Sequence, residues 1–376
     1  MALSDEIAAL DAATKQRLEL RGFRVDRLLG WAATMGSGKD ARNRLKGEVT
    51  APAPTDIIDA PQPGTPNYEH YQQIGLGLLR EGRVALCVLA GGMATRMGGV
   101  VKALVEATPG HTFLDLRLGE QRALAELSGR KVPLWLMTSE ATRGPIEAAL
   151  GDRRDGVDIA VFEQCVAPRL TPDGHLFRED DGKASIYPTG HGDLPEALRQ
   201  SGHLRRFLDD RGGGYVWLAN LDNLGASVDP AILGWMMERE APLMVEVVDK
   251  VGTDRGGVPV LWEGQRIIAE EFRLPASLDA NTIRVFNTNT FLCDASRLEN
   301  LSFDFTFVEV EKTVQGRKAV QFERLLGEIT VAIEPQLLRV PRDGVASRFL
   351  PVKDNDELAR RRPEIEAIAR ARGMLR

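Results

Sequence analysis

The sequence lacks the marks of a membrane or exported protein. No apolar run reaches the roughly 18 residues that a spanning helix needs. No basic start followed by an apolar stretch opens the chain, so a cytoplasmic location is expected. Cysteine is scarce: Cys87, Cys165 and Cys293 are odd in number, far apart and without metal-ligand spacing. Reduced, buried thiols are therefore expected. An excess of positive charge is missing too. A formal net charge of −6 argues against a general nucleic-acid binder, so any phosphate site has to be positive locally.

The usual nucleotide fingerprints are also absent. In VALCVLAGGMATRMGGVVK, from Val84 to Lys102, Gly91-Gly92 followed by Gly98 does not fit G-x-G-x-x-G, and no Gly-Lys-Ser/Thr closes a Walker loop. Met35-Gly36-Ser37-Gly38-Lys39 imitates a P-loop. Ala33 stands five before Gly38, however, and Asp40 occupies the place of the magnesium-binding hydroxyl. No strand precedes this fragment, so a turn is expected there.

What is present is an apolar strand, 84–89, running into a glycine-rich loop that carries Arg96 and ends at Lys102. Glycines allow positive φ and let successive N–H groups turn inward around an anion. A phosphate-binding loop and a plain glycine-rich turn with surface charges both remain open on this stretch alone.

The 376 residues, 43% hydrophobic and 27% charged, suit an ordinary globular protein with ample core. Residues 1–75 read as a helical N-terminal segment. Ser4 would cap a helix carrying Ile7 and Leu10, and 17–29 would form a second helix. Residues 51–54 and 61–66 are proline-rich and read as extended connectors. From 76 to 340 the pattern alternates strand and helix. Thr112 with Asp115 makes a capping box for a helix through Leu127, and 132–137, 157–162 and 215–219 are short apolar strands. Segments 243–248, 258–262, 267–272 and 283–293 are strand-rich without full helices between them. The expected class is α/β, with a mixed, mostly parallel central sheet flanked by helices and bearing antiparallel additions. Residues 341–376 form a short C-terminal segment whose helix, with Arg360, Arg361, Arg362, Arg370 and Arg372, reads as solvated.

Polar turns at strand ends are where such a sheet collects ligands. Gln164 follows the strand ending Phe162-Glu163, and its amide carries donors and an acceptor matching an imide edge such as that of uracil. In Tyr187-Pro188-Thr189-Gly190-His191-Gly192-Asp193, the two glycines would let backbone approach a ligand, or His191 would simply be satisfied within a tight turn. Asp222, just past 215–219, suits magnesium, which keeps much of its hydration shell and needs few carboxylates; a helix N-cap is the alternative. Lys250, Gly256-Gly257, Glu270 and Asn287-Thr288-Asn289 suit sugar hydroxyls or turns. Arg348-Phe349-Leu350-Pro351-Val352-Lys353 would return a lysine to the core.

The order of LAGGMATRMG, Lys102, TFLDL, FEQ with PRL, YPTGHGD, SGHL, NLDNLGASVD, RGG, FNTNT, VQFE and RFLPVK closely resembles the UDP-glucose pyrophosphorylase family, which includes UDP-N-acetylglucosamine pyrophosphorylases. The resemblance covers roughly residues 70–358. It implies a Rossmann-like nucleotidyltransferase fold, and a reaction in which UTP and a sugar 1-phosphate give UDP-sugar and pyrophosphate with Mg²⁺. Carried over by motif, Gly91 and Gly92 would bind the nucleotide, with Arg96 and Lys102 on its triphosphate. Gln164 and Gly190 would read uracil, His191 would contact the nucleotide, and Asp222 would hold Mg²⁺. Gly257, Glu270 and Asn289 would bind the sugar with Lys250 near its end, and Lys353 would bind the phosphates being joined.

The chain departs from the family's pattern in three places. Val101 stands where a proline usually precedes the lysine, and Gln321-Phe322-Glu323-Arg324-Leu325-Leu326-Gly327 replaces QLETAAG. The sequence also stops soon after Lys353, so the β-helix domain of many relatives is not expected, and a monomer or small homo-oligomer is. The GHGD and DNLGASVD motifs favour glucose, whereas Met137-Thr138-Ser139 resembles the acetylhexosamine branch; galactose also stays open. A non-catalytic nucleotide-sugar sensor is disfavoured by Lys102, Asp222 and Lys353 occurring together. A glycosyltransferase is disfavoured by the lack of Asp-x-Asp after a strand.

Overall fold

The computed structural model describes residues 1–35, 43–252, 254–303 and 306–375; the turn expected at 36–39 lies outside them. Among the described residues, the central sheet has eight strands: β1 Ile57–Asp59, β2 Val84–Leu89, β3 Pro133–Thr138, β4 Asp158–Glu163, β5 Tyr215–Asn220, β6 Leu243–Asp249, β7 Val285–Asp294 and β8 Gln336–Arg339. Their spatial order is β1-β8-β6-β7-β5-β2-β3-β4. Every neighbouring pair is parallel except the two made by β7.

The apolar runs follow from burial on both faces, as helices cover both sides of a parallel sheet. Val84, Leu86 and Val88 of β2 enter one core, while Ala85 and Cys87 enter the other. Leu134 and Leu136 alternate with Trp135 and Met137 on β3 in the same way. The three cysteines are buried and unbonded, and burial pushes their thiols up.

Register sets the site. Asn220 pairs with Leu89, Leu89 with Met137 and Met137 with Phe162. Strands β5, β2, β3 and β4 therefore end level, and the loops after them share one rim. The capping box at Thr112 and Asp115 is present, on the helix Phe113–Ser128.

Several local expectations change. Ser4 lies inside the helix Leu3–Ala8, whose N-cap is Ala2. The single helix read at 17–29 is two, Ala12–Glu19 and Val25–Ala32, separated where Gly22 takes φ +72. These helices bury Ile7, Leu18 and Leu28 against Val166, Leu170, Val320 and Phe322. The proline-rich connectors flank β1, and the second delivers Pro66 to the first turn of the helix Pro66–Glu81, which runs across residue 75. Strands Gly257–Trp262 and Gln265–Glu270 leave the main sheet and join Val49–Thr50 in a three-stranded one. The C-terminal helix, Asn355–Ala371, buries Leu358, Ile365 and Ile368. Arg372 just beyond it is not solvated, donating to Leu224 O at 3.1 Å and Ser347 O at 2.6 Å. No helix among the described residues is long and apolar enough to cross a membrane.

Candidate active site

The rim begins where β2 ends. Ala90 extends the ladder by donating its N–H to Met137 O at 2.8 Å. A Cβ on Gly91 would lie 3.2 Å from Ser139 N and 3.3 Å from Gln164 Oε1. Glycine thus allows the loops after β2, β3 and β4 to close on one another, and Ser139 Oγ seals them by donating to Gly91 O at 3.0 Å. The N–H groups of Gly91 and Gly92 meet no acceptor among the described residues, and the space beside Gly92 is open. N–H groups without a protein acceptor beside an opening suit an anion. Gln164 is 8% exposed, and its side-chain amide has no partner among the described residues.

Beyond Gly92 the chain forms a small hairpin, with Met93–Ala94 pairing Val100–Val101 and Gly98 and Gly99 at φ +89 and +74. Arg96 is exposed at its tip. The hairpin returns Lys102 to the rim, its N–H donating to Gly92 O at 3.2 Å.

Lys102 Nζ donates to Asp222 Oδ2 at 2.8 Å, and the Val352 N–H reaches the same oxygen at 3.2 Å. Oδ1 has no partner among the described residues. Asp222 is not a helix cap; Asp229 caps the next helix, Pro230–Glu238. The loop carrying Asp222 is gripped from behind by fully buried Arg117, which donates to Asn220 O at 2.9 Å and Asn223 O at 2.7 Å. Asn223 in turn holds the strap 348–352: Nδ2 donates to Arg348 O at 3.1 Å and Oδ1 accepts from Leu350 N at 2.7 Å. Arg348 is anchored on buried Glu246, 2.7 Å from Oε1. Lys353 emerges from this strap with an exposed side chain, while its N–H donates to Glu357 Oε2 at 2.8 Å.

On the other side of β5, Asn289 takes φ +59 inside β7, a conformation Asn tolerates better than most residues. Its Nδ2 donates to Asn220 Oδ1 at 2.9 Å. Its N–H donates to Asn287 Oδ1 at the same distance. Gly257 pairs with Glu270, and a Cβ there would lie 3.3 Å from Glu270 Oε1 and 3.8 Å from Asn287 Cβ. Burial, and next the Glu271 charge, holds the Glu270 carboxyl above the usual range. Lys250 is a partial exception to this convergence. It follows β6 as expected, but its ammonium is engaged by Glu271 Oε1 at 2.9 Å and Ala280 O at 3.1 Å.

The His191 turn joins beside Gln164, Thr189 N–H donating to Cys165 O at 3.1 Å. The glycines there also admit a close approach within the protein, on their Cβ side. A Cβ on Gly190 would sit 2.6 Å from Arg324 O, and one on Gly192 2.6 Å from Arg324 C, so the protein's own backbone fills both places. His191 Nδ1 accepts from Leu326 N–H at 3.0 Å. The neutral ring therefore carries its proton on Nε2 and can donate it to a ligand. Burial pushes the imidazole down to about 4.

A family model described as UTP–glucose-1-phosphate uridylyltransferase matches residues 47–365. The chain belongs to that uridylyltransferase family. It is 31% identical to the UTP–glucose-1-phosphate uridylyltransferase of Hordeum vulgare over 73% of this chain and 61% of that protein. With that of Pyrus pyrifolia it shares 30% identity over 95% of this chain and 76% of that protein. The chain thus spans less than two thirds of the barley protein. Among solved structures, UDP-glucose phosphorylase from Trypanosoma brucei matches with a TM-score of 0.73 and 22% identity, over 94% of this chain and 78% of that one.

In this member of the uridylyltransferase family, the residues that sequence reasoning missed lie one layer behind the rim. Arg117 gives no sequence signal, being one charged residue within an amphipathic helix. Asn223 and Arg348 lie within the motifs NLDNLGASVD and RFLPVK, but only the fold reveals that they bind each other's segments.

Proposed function

We propose that the chain is a uridylyltransferase that converts UTP and a sugar 1-phosphate, foremost glucose 1-phosphate, to UDP-sugar and pyrophosphate. The observation that carries this reading is the meeting of Lys102, Asp222 and the strap leading to Lys353 on one rim, between unpaired Gly91 and Gly92 N–H groups and the Asn220–Asn289 pair. Gln164 and the backbone at Gly190 read uracil, and His191 donates to the nucleotide through Nε2. Gly91, Gly92, Arg96 and Lys102 hold the triphosphate. Asn289, Gly257 and Glu270 face the sugar, with Lys250 fixing the wall beside it.

A sugar phosphate, with a second pKa of about 6, is already ionised at neutral pH and is its own nucleophile. Its oxygen attacks the α-phosphorus of UTP, the bond to the bridging oxygen of pyrophosphate breaks, and no proton need be removed. The protein's work is alignment and charge neutralisation. Lys353 screens attacker from target, while Arg96 and Lys102 stabilise the departing pyrophosphate.

Asp222 fits a magnesium site. Both its hydrogen bonds among the described residues fall on Oδ2 and leave Oδ1 for a cation. The ion would supply further neutralisation of phosphate charge. We place the enzyme in the cytoplasm, as a monomer or small homo-oligomer, with no membrane or nucleic-acid partner.

The test is pyrophosphate release from UTP with Mg²⁺ and glucose 1-phosphate, N-acetylglucosamine 1-phosphate or galactose 1-phosphate, with ATP, CTP, GTP and dTTP as controls. Release with UTP and glucose 1-phosphate is expected. Tight UDP-glucose binding without release from any pair would replace the enzyme reading with that of a sensor.

A further inference from the structure

Arg324 stands at one of the positions where the chain departs from the family's pattern, and it is 3% exposed. Its guanidinium lies between two carboxylates of the segment that follows Gly190. Nε is 2.5 Å from Asp193 Oδ1, a contact of charges without hydrogen-bond alignment, and a terminal nitrogen donates to Glu196 Oε2. Asp193 has no exposed surface; its Oδ2 accepts from Thr189 Oγ1 at 2.7 Å. Glu196 also receives Arg27 of the N-terminal helices at 3.0 Å. The ring of Phe307 lies 5.5 Å from the guanidinium carbon.

The backbone of Arg324 makes the other half of the joint. Its N–H donates to Thr189 O at 2.7 Å, and its carbonyl accepts from Gly192 N at 3.0 Å. Two residues on, Leu326 N–H docks on His191 Nδ1. The segment that orients the imidazole is therefore clamped to the turn carrying it, by backbone on one side and buried charge on the other. A buried carboxylate is tolerated only with a partner, so the clamp needs both charges.

We propose that Arg324 is a positioning residue for His191: bridging Asp193 and Glu196, it fixes the 324–326 segment that sets which way His191 presents Nε2–H to the uridine nucleotide. This rests on the reading that UTP lies against His191. It assigns the N-terminal helices a part in the nucleotide subsite, since Arg27 completes the bridge.

The test is a double-mutant cycle read by calorimetric titration of UTP with Mg²⁺, and by KM for UTP and for glucose 1-phosphate. Arg324→Met is expected to raise the Kd and KM for UTP about tenfold, the size of one well-made hydrogen bond, with the KM for glucose 1-phosphate changed by less than about twofold. Arg324→Lys is expected to fall between, because one ammonium cannot span both carboxylates as a fork does. In a His191→Ala background either change should add less than about twofold, since no ring remains to be positioned. Unchanged UTP affinity in a folded Arg324 variant, or losses that multiply fully in the His191→Ala background, overturns the proposal alone. If Arg324→Met does not fold, the lysine variant carries the same cycle. A wild-type protein that fails to bind UTP overturns the functional reading and this proposal with it.

Discussion

Lys102 and Asp222, 120 positions apart in the chain, meet with Nζ 2.8 Å from Oδ2. Their side chains are 22% and 13% exposed, so the pair is neither deeply buried nor fully screened. Lysine neutralises the carboxylate while Oδ1 stays open. On the proposed function, Asp222 would hold a divalent cation through Oδ1 while Lys102 exchanges its carboxylate partner for the phosphates.

Exchange of that kind predicts strong, non-additive effects. Asp222→Asn and Lys102→Ala should each lower kcat on the order of 100- to 1,000-fold, as removal of one aligned electrostatic group does. The double variant should lose less than the product of the two. Chelation of divalent cations should abolish release in the wild type. Initial rates at saturating UTP and glucose 1-phosphate check all three; near-wild-type turnover in Asp222→Asn would remove it from the metal site.

Lys353 offers a cleaner separation of chemistry from stability. Its side chain is exposed, and among the described residues only its backbone N–H is bound, to Glu357. Lys353→Ala should leave the thermal midpoint unchanged and lower kcat on the order of 100-fold. Calorimetry alongside kinetics distinguishes this from a folding defect.

Gly225 should show the reverse profile. A Cβ there would approach Arg348 C to 2.6 Å, against backbone held by Asn223 and Arg372. Gly225→Ala should therefore destabilise by about 1–3 kcal/mol, as overpacking does. It should also lower turnover by displacing the strap from Asp222. Urea unfolding gives the first quantity and steady-state kinetics the second.

His191 makes stability depend on pH. Folding lowers its pKa from 6.5 to about 4, so between these values the unfolded chain binds more protons than the folded one. Stability from this group is fully present above about pH 6.5 and is lost progressively as the pH falls towards 4. His191→Phe should flatten that part of the urea-midpoint profile relative to wild type. Near pH 7 the ring is neutral, so its contribution to UTP binding should be level from about pH 6 to 8.

Much of the sheet was legible because its inner parallel strands are buried on both faces and so read as short apolar runs, as 84–89 does. The N-terminal helices were misread because Gly22 and the cap at Asp11 are weak local signals beside an even scatter of charge. Motif order named the rim residues, but it did not reveal that Gly190 and Gly192 accommodate Arg324 backbone, or that Lys250 is engaged by Glu271. Both facts depend on segments more than 20 residues away.

The sequence by itself determined where each rim strand ends to within a residue, because its apolar run stops where polar or glycine residues begin, and it determined the family through the order of those endings. Only the tertiary structure decided their register and their partners. Level strand ends at Leu89, Met137, Phe162 and Asn220 bring loops from distant parts of the chain onto one rim. There the desolvation of Arg117, Asp193, Glu246 and Arg324 forces each to find an opposite charge or a carbonyl. Those pairings hold the rim's shape, and they form only when the chain has closed around them.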